Sequence, residues 1–281
     1  MDTEMNSLPI GFGLPQEWQA FISSNPVVIS KLQLLLKTLE KTFIRTHTSS
    51  PAAGTVVFYL GRLCVEDFME ILLLCGNGYG IGGLKLLRGM YEKAVTAAFI
   101  SKNPSEADTF LDYHFVHQRK SLNHIRGIFS ADQLKEFVSD AEMAEIMENS
   151  DNVRDQFRET LCAECGTTRD RFSWSKLDLA SMARAVGNGF EKLYFPCYYR
   201  PTLQSHTTVS ALVERLVMRD DNDSITFHEG AQRKAAREAV LLAHHVTLLV
   251  VATQNQHFSL GLDNEIEERI ADFKEAWAPS E

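Results

Sequence analysis

Val56-Val57-Phe58-Tyr59-Leu60-Gly61-Arg62-Leu63-Cys64-Val65-Glu66-Asp67-Phe68-Met69-Glu70-Ile71-Leu72-Leu73-Leu74-Cys75 is an apolar run broken by charges at helical intervals. A half-buried strand would alternate with period two, and this stretch does not. Its spacing predicts a long helix with Tyr59, Leu60, Leu63, Phe68, Ile71 and Leu72 in the core. Upstream, Asn25-Pro26 opens a second helix carrying Val28, Leu32, Leu35, Leu36, Leu39 and Phe43 on one face, with Pro26 where a first turn accepts it. Ser49-Ser50-Pro51-Ala52-Ala53-Gly54 separates the two as a loop.

Downstream, the turn Gly76-Asn77-Gly78-Tyr79-Gly80 leads into a helix over Ile81–Ser101. Asn103-Pro104-Ser105 ends that helix and caps the next, from Glu106 to about Phe129. Ser130-Ala131-Asp132-Gln133 reads as a capping box opening a charged helix through Glu148. From Asn149 to Asp178 the pattern is polar and irregular. Helical patterning resumes over Leu179–Val186 and Phe190–Leu216, followed by a surface loop over Met218–Ser224. A long helix over His228–Gln256 and an amphipathic one over Asn264–Trp277 complete the chain. No strand is expected, and the short connections favour antiparallel packing. The expected architecture is an all-α, antiparallel multi-helix bundle. Residues 1–25 form an N-terminal extension, and 26–281 form a single helical domain with an irregular excursion near 149–178.

The 281 residues are 44% hydrophobic and 23% charged, ordinary values for a globular protein. A formal charge of −9 argues against a broad nucleic-acid-binding surface, though not against a small basic pocket. The five cysteines, an odd number, read as reduced thiols. The acidic N-terminus is no signal peptide, and the apolar stretch Ala239–Thr253, which holds His244 and His245, reads as too short and too polar to span a bilayer. The expectation is a cytoplasmic protein without membrane contact.

Several motifs fail on inspection. Gly78 and Gly83 have phosphate-loop spacing, but Leu84-Lys85-Leu86 stands where Lys and Ser or Thr are required, so close helix packing explains the glycines better. Cys162 and Cys165 are half of a zinc site with no second pair. His228-Glu229 lacks the second histidine of a zincin helix, Gln232 standing in its place. Asp221-Asn222-Asp223 lacks the glycine and late glutamate of a calcium loop. His244 and His245 read as core or interface histidines. The reading therefore implies no metal and no cofactor.

Three polar constellations remain. Tyr198, Thr202, His206 and Ser210 recur every fourth residue, which on a helix stacks four hydrogen-bonding groups on one face. Tyr113, His117, Lys120 and His124 form a second helical stripe. Arg88 and Glu92 lie four apart amid apolar residues, so their ion pair is expected to point inward.

These residues resemble a bacterial all-helical family known only as a domain of unknown function. The pattern is an L-R-x-x-x-E helix, met by Leu87-Arg88 and Glu92, then a helix with Tyr and Lys, met by Tyr113 and Lys120. A Y-x-x-x-S-x-x-x-H segment follows, met by Tyr198, Thr202 and His206, with Thr202 replacing the usual Ser. The resemblance spans roughly Val56 to Val217 and includes the Trp174–Gly187 stretch. More distantly, Arg119 and His124 match the R-x4-H pattern of HEPN-like ribonucleases, which implies a HEPN-like core. In that family a basic residue and a histidine support metal-independent RNA cleavage through the ribose 2′-hydroxyl.

The leading expectation is accordingly a HEPN-like effector, a metal-independent endoribonuclease or toxin in phage defence. His206 or His124 would act as general base or acid, and Arg119 or Arg88 would stabilise the developing phosphate charge. Glu92, Tyr113, His117, Lys120, Tyr198 and Thr202 would bind substrate. The alternative is a non-catalytic module that binds a small polar ligand or a protein. Expected partners are RNA or a small polar ligand, with a homodimer or a cognate bacterial protein as the macromolecular partner.

Overall fold

The computed structural model describes residues 15–44, 51–162, 164–218, 225–227 and 230–278. The first fourteen residues of the expected extension, the Ser49-Ser50 part of the first loop, the Asp221–Asp223 cluster and the His228-Glu229 motif lie outside them. The chain is mostly helical, as expected of an all-α protein. It divides into two compact units, residues 1–102 with 179–281, and residues 103–178.

In the first unit, α1 (Pro15–Ser24) occupies part of the stretch expected as an extension. Next come α2 (Pro26–Phe43), α3 (Ala52–Gly76) and α4 (Gly80–Lys102). Ala52-Ala53-Gly54, expected as loop, is the first turn of α3. Between α3 and α4, Gly78 at φ 87° makes the reversal, a conformation that strains any side chain with a Cβ. After 178 come α8 (Leu179–Val186), α9 (Phe190–Tyr194), a π turn (Phe195–Tyr199), α10 (Arg200–Ser205) and α11 (Val209–Val213). Two short strands follow, β3 (Leu216–Met218) and β4 (Ile225–Phe227), and then α12 (Arg233–Phe258) and α13 (Asp263–Ala276).

The core lies where α3, α4 and α12 pack together. Val57, Phe68, Ile71, Leu87, Met90, Val95, Val240 and Val246 are essentially closed to solvent. Phe68, Ile71 and Leu72 of α3 are buried as expected, but Tyr59 and Leu63 are 54% and 42% exposed, and Val57, Gly61 and Cys64 face inward instead. The helix is apolar nearly all round, so periodicity could not select its face. Glycine does part of that selection. A Cβ on Gly61 would fall 2.3 Å from Gln254 Nε2, and one on Gly80 would fall 2.2 Å from the Ala236 backbone nitrogen. The Gly-rich turn thus serves close packing against α12, as its sequence suggested.

α12 is 26 residues long, and by length and composition it could cross a membrane, contrary to the sequence expectation. Its most apolar window is mostly buried inside the fold, against α3 and α4.

The second unit comprises α5 (Glu106–Arg126), α6 (Ala131–Phe137), α7 (Asp140–Val153), a 3-10 turn (Arg154–Phe157), β1 (Arg158–Thr160) and β2 (Thr168–Asp170). Ser105 contributes no side-chain cap to α5. Ser130 and Gln133 do form the expected capping box. A second box, Ser139 with Glu142, splits the expected charged helix in two. Strands β1 and β2 pair antiparallel with Arg158 opposite Asp170, and β3 pairs with β4 in the same sense. Strands of three residues are too short to display an alternation, which is why none was expected.

Candidate functional site

Arg88 lies in the middle of α4, and α10 approaches from residues 114 positions later. Its Nε donates to Thr202 Oγ1 at 3.0 Å, and its Nη2 donates to the Tyr198 hydroxyl at 3.2 Å. The guanidinium also stacks on the Tyr198 ring, 4.8 Å from the centroid. Thr202 is itself fixed, because its hydroxyl donates to the Tyr198 carbonyl at 2.7 Å. Beneath Tyr198, Tyr91 is fully buried and donates its hydroxyl to the Phe190 carbonyl at 2.7 Å. Burial, with Cys197, Tyr194 and Glu191 nearby, raises the Tyr91 hydroxyl above its ordinary range, so it stays a neutral donor.

Glu92 completes the cluster, but not as a buried pair. It stands 3.8 Å from Arg88 Nη1, and the two side chains are 50% and 30% exposed. The expected inward ion pair is therefore a loose contact at the surface. Arg88 has five N–H donors, and two are committed to Thr202 and Tyr198. The rest of the fork is available to an incoming acceptor.

The expected four-step ladder is interrupted. Pro196 and Pro201 cannot donate to the carbonyls four residues back, and the helix widens into the π turn between them. It ends at Ser205, and His206 is extended at φ −105°, ψ 162°. His206 is exposed, and among the described residues its side chain has no hydrogen-bond partner. Ser210 belongs to α11, whose N-cap is Thr208, accepting from the Ala211 N–H. Arg88, Glu92, Tyr198 and Thr202 thus come together, whereas His206, expected to share a pocket with Arg88, Glu92 and Tyr198, is not carried there on a helix face.

The stripe on α5 is assembled within the second unit. The Tyr113 hydroxyl donates to the Arg171 carbonyl at 2.7 Å and accepts from Lys120 Nζ at 3.0 Å. Lys120 donates to the same carbonyl at 2.6 Å. Both polar groups are spent on pinning the backbone after β2. The His117 ring packs edge-on against Tyr113 with centroids 4.5 Å apart. Burial, then Lys120 and His114, lower its pKa. Arg119 pairs with Asp151 of α7, and His124 is exposed. Among the described residues no contact joins Arg119 to His124, as expected of positions about 140° apart on a helix.

A family of unknown function, DUF5677, matches residues 55–225. The chain belongs to that family. The DUF5677 span runs from the first turn of α3 through α11 and holds both polar clusters, in keeping with the Val56–Val217 resemblance. No curated protein and no solved structure matches the chain.

Within the same first unit, sequence reading missed a charged cavity of about 670 Å³. Arg200, Arg215, Gln232, Lys234 and Glu238 are among its walls. Arg200 pairs there with Glu238 and, at 3.8 Å, with Glu214. Arg215 stacks over Phe227 at 5.0 Å from the ring centroid. The only available signal was the clustering of Arg near the Tyr198 stretch, since the partners come from distant helices. Among the described residues no group of three or more His, Cys, Asp or Glu side chains is placed to hold a metal ion.

Proposed function

We propose that this DUF5677 protein is a non-catalytic binding module whose recognition group is Arg88, and that it binds a ligand through a carboxylate or phosphate. The observation that carries this reading is the guanidinium held on two sides by Thr202 and Tyr198 while, among the described residues, its Nη1 edge meets only a loosely paired, half-exposed Glu92. A pre-oriented fork loses little entropy on accepting a bidentate anion, and hydrogen bonds to charged groups are the strong ones. Glu92 beside it would favour a ligand with a donor next to its anionic group.

The ribonuclease reading draws on Arg119 and His124. Arg119 is occupied by Asp151, and among the described residues no hydrogen-bonding group orients the His206 ring, which supports binding better than catalysis. The test is thermal denaturation of the full chain with inorganic phosphate and with succinate. An anion at about 100 times its Kd stabilises the folded state by about 2.7 kcal/mol. A rise in Tm for the native protein that is lost in Arg88→Ala is expected. No rise with either anion, or an equal rise in Arg88→Ala, would overturn the proposal.

A further inference from the structure

The turn between β1 and β2 carries Cys162 and Cys165, and the other three thiols are elsewhere and closed off. Cys64, Cys75 and Cys197 are buried, and burial pushes each thiol up, Cys75 to about 12. Cys162 is partly exposed and Cys165 exposed. The two are already in contact, since the Cys165 backbone N–H donates to the Cys162 sulfur at 3.4 Å. The Thr167 hydroxyl lies 2.9 Å from Cys165 Sγ.

We propose that Cys162 and Cys165 form a reversible dithiol–disulfide site, oxidised by low-molecular-mass disulfides such as oxidised glutathione. Cys165 is the attacking group. The Thr167 hydroxyl and then the Cys162 thiol donate toward its sulfur and bring its pKa down to about 7. A thiol with a pKa near ambient pH combines a useful thiolate fraction with retained nucleophilicity, the best compromise for exchange. Of the charged side chains in the hairpin, Glu159 and Arg169 neutralise each other, and Glu164 lies between the cysteines.

The chemistry balances in two displacements. The Cys165 thiolate attacks one sulfur of oxidised glutathione, the glutathione S–S bond breaks, and one glutathione leaves as thiolate and takes a proton from water. Cys162 then loses its proton to water and attacks Cys165 Sγ. The Cys162–Cys165 bond forms as the second glutathione departs. Two protein thiols are oxidised, and one disulfide is reduced to two thiols.

The full chain is incubated with oxidised glutathione near neutral pH, quenched in acid, unfolded and alkylated with N-ethylmaleimide. Intact mass should show three labelled thiols in place of five, with a peptide linking Cys162 to Cys165 and full recovery in dithiothreitol. Cys162→Ser should accumulate one glutathione on Cys165, because no resolving thiol remains. Thr167→Val should slow iodoacetamide alkylation of Cys165 near neutral pH about tenfold and move its pH profile upward, which a merely structural role would not do. Five labels in the native protein, oxidation at a buried cysteine, or no adduct in Cys162→Ser would each overturn the proposal.

Discussion

Arg88 Nε donates to Thr202 Oγ1 across 3.0 Å, so the middle of α4 is hydrogen-bonded to α10 through a neutral acceptor. Thr202→Ser keeps that acceptor and should leave stability and anion binding nearly unchanged. Thr202→Val removes it and should cost about 1 kcal/mol in urea denaturation, with weaker binding besides. Arg88→Lys keeps the charge but cannot reach Thr202 and Tyr198 together, so anion-induced stabilisation should fall severalfold. Full retention by Arg88→Lys would mean that charge alone is read there.

A second expectation concerns backbone proximity. A Cβ on Gly80 would lie 2.2 Å from the Ala236 nitrogen and 2.5 Å from the Gln232 carbonyl oxygen, both main-chain atoms that cannot rotate aside. Gly80→Ala should therefore destabilise the protein by about 1–3 kcal/mol. Gly89→Ala is the control, its nearest contact being the flexible Lys93 tip at 3.7 Å. Equal melting temperatures for the two variants would refute the packing argument.

Acid stability should depend on His244. The Trp277 indole can only donate, and it lies 3.3 Å from His244 Nδ1, which fixes that nitrogen as acceptor and the proton on Nε2. Burial, followed by His245, lowers the His244 pKa from 6.5 to about 4, with Asp272 opposing. The unfolded chain thus binds a proton below about pH 6.5 that the folded chain refuses until about pH 4. Stability should be flat above that window and fall through it, by about 3 kcal/mol in all. His245, lowered by burial, adds a smaller fall of the same sign. His244→Gln keeps an acceptor for Trp277 and should flatten most of the slope. An unchanged slope would assign the acid sensitivity elsewhere.

RNA supplies the sharpest separation of the two functional readings. Purified protein incubated with total RNA in EDTA should leave it intact. Fragments with cyclic-phosphate ends, lost in His124→Ala and Arg119→Ala, would replace the binding proposal with the ribonuclease one.

Long periodic segments were legible from sequence, and α4, α5, α12 and α13 lie within a few residues of their expected bounds. The pairs Arg88–Glu92 and Tyr198–Thr202 were legible as four-residue spacings, but their meeting depends on packing between α4 and α10 that spacing does not encode. The exit at Ser205 was not legible, although Ser205-His206-Thr207-Thr208 carries a cap residue in Thr208 that competes with helix continuation. Misreading that cap produced the expectation for His206. The facing residue of α3 and the partners of Arg200 depend on contacts from distant helices, and periodicity holds no such information.

The wide turn at Phe195–Tyr199 bears on tolerance to changes in chain length. It holds an extra residue within the helix, so losing one residue there would restore ordinary pitch at modest backbone cost. Because the turn absorbs that residue locally, the helix on either side would keep its facing, with Thr202 still on Arg88 and Arg200 still beside Glu238. A residue added in the regular pitch of α10 ahead of Thr202 has no such slack, and Thr202 would turn off Arg88 by about 100°, like a cam on a shaft. Chain length is thus forgiven at the wide turn and enforced just beyond it.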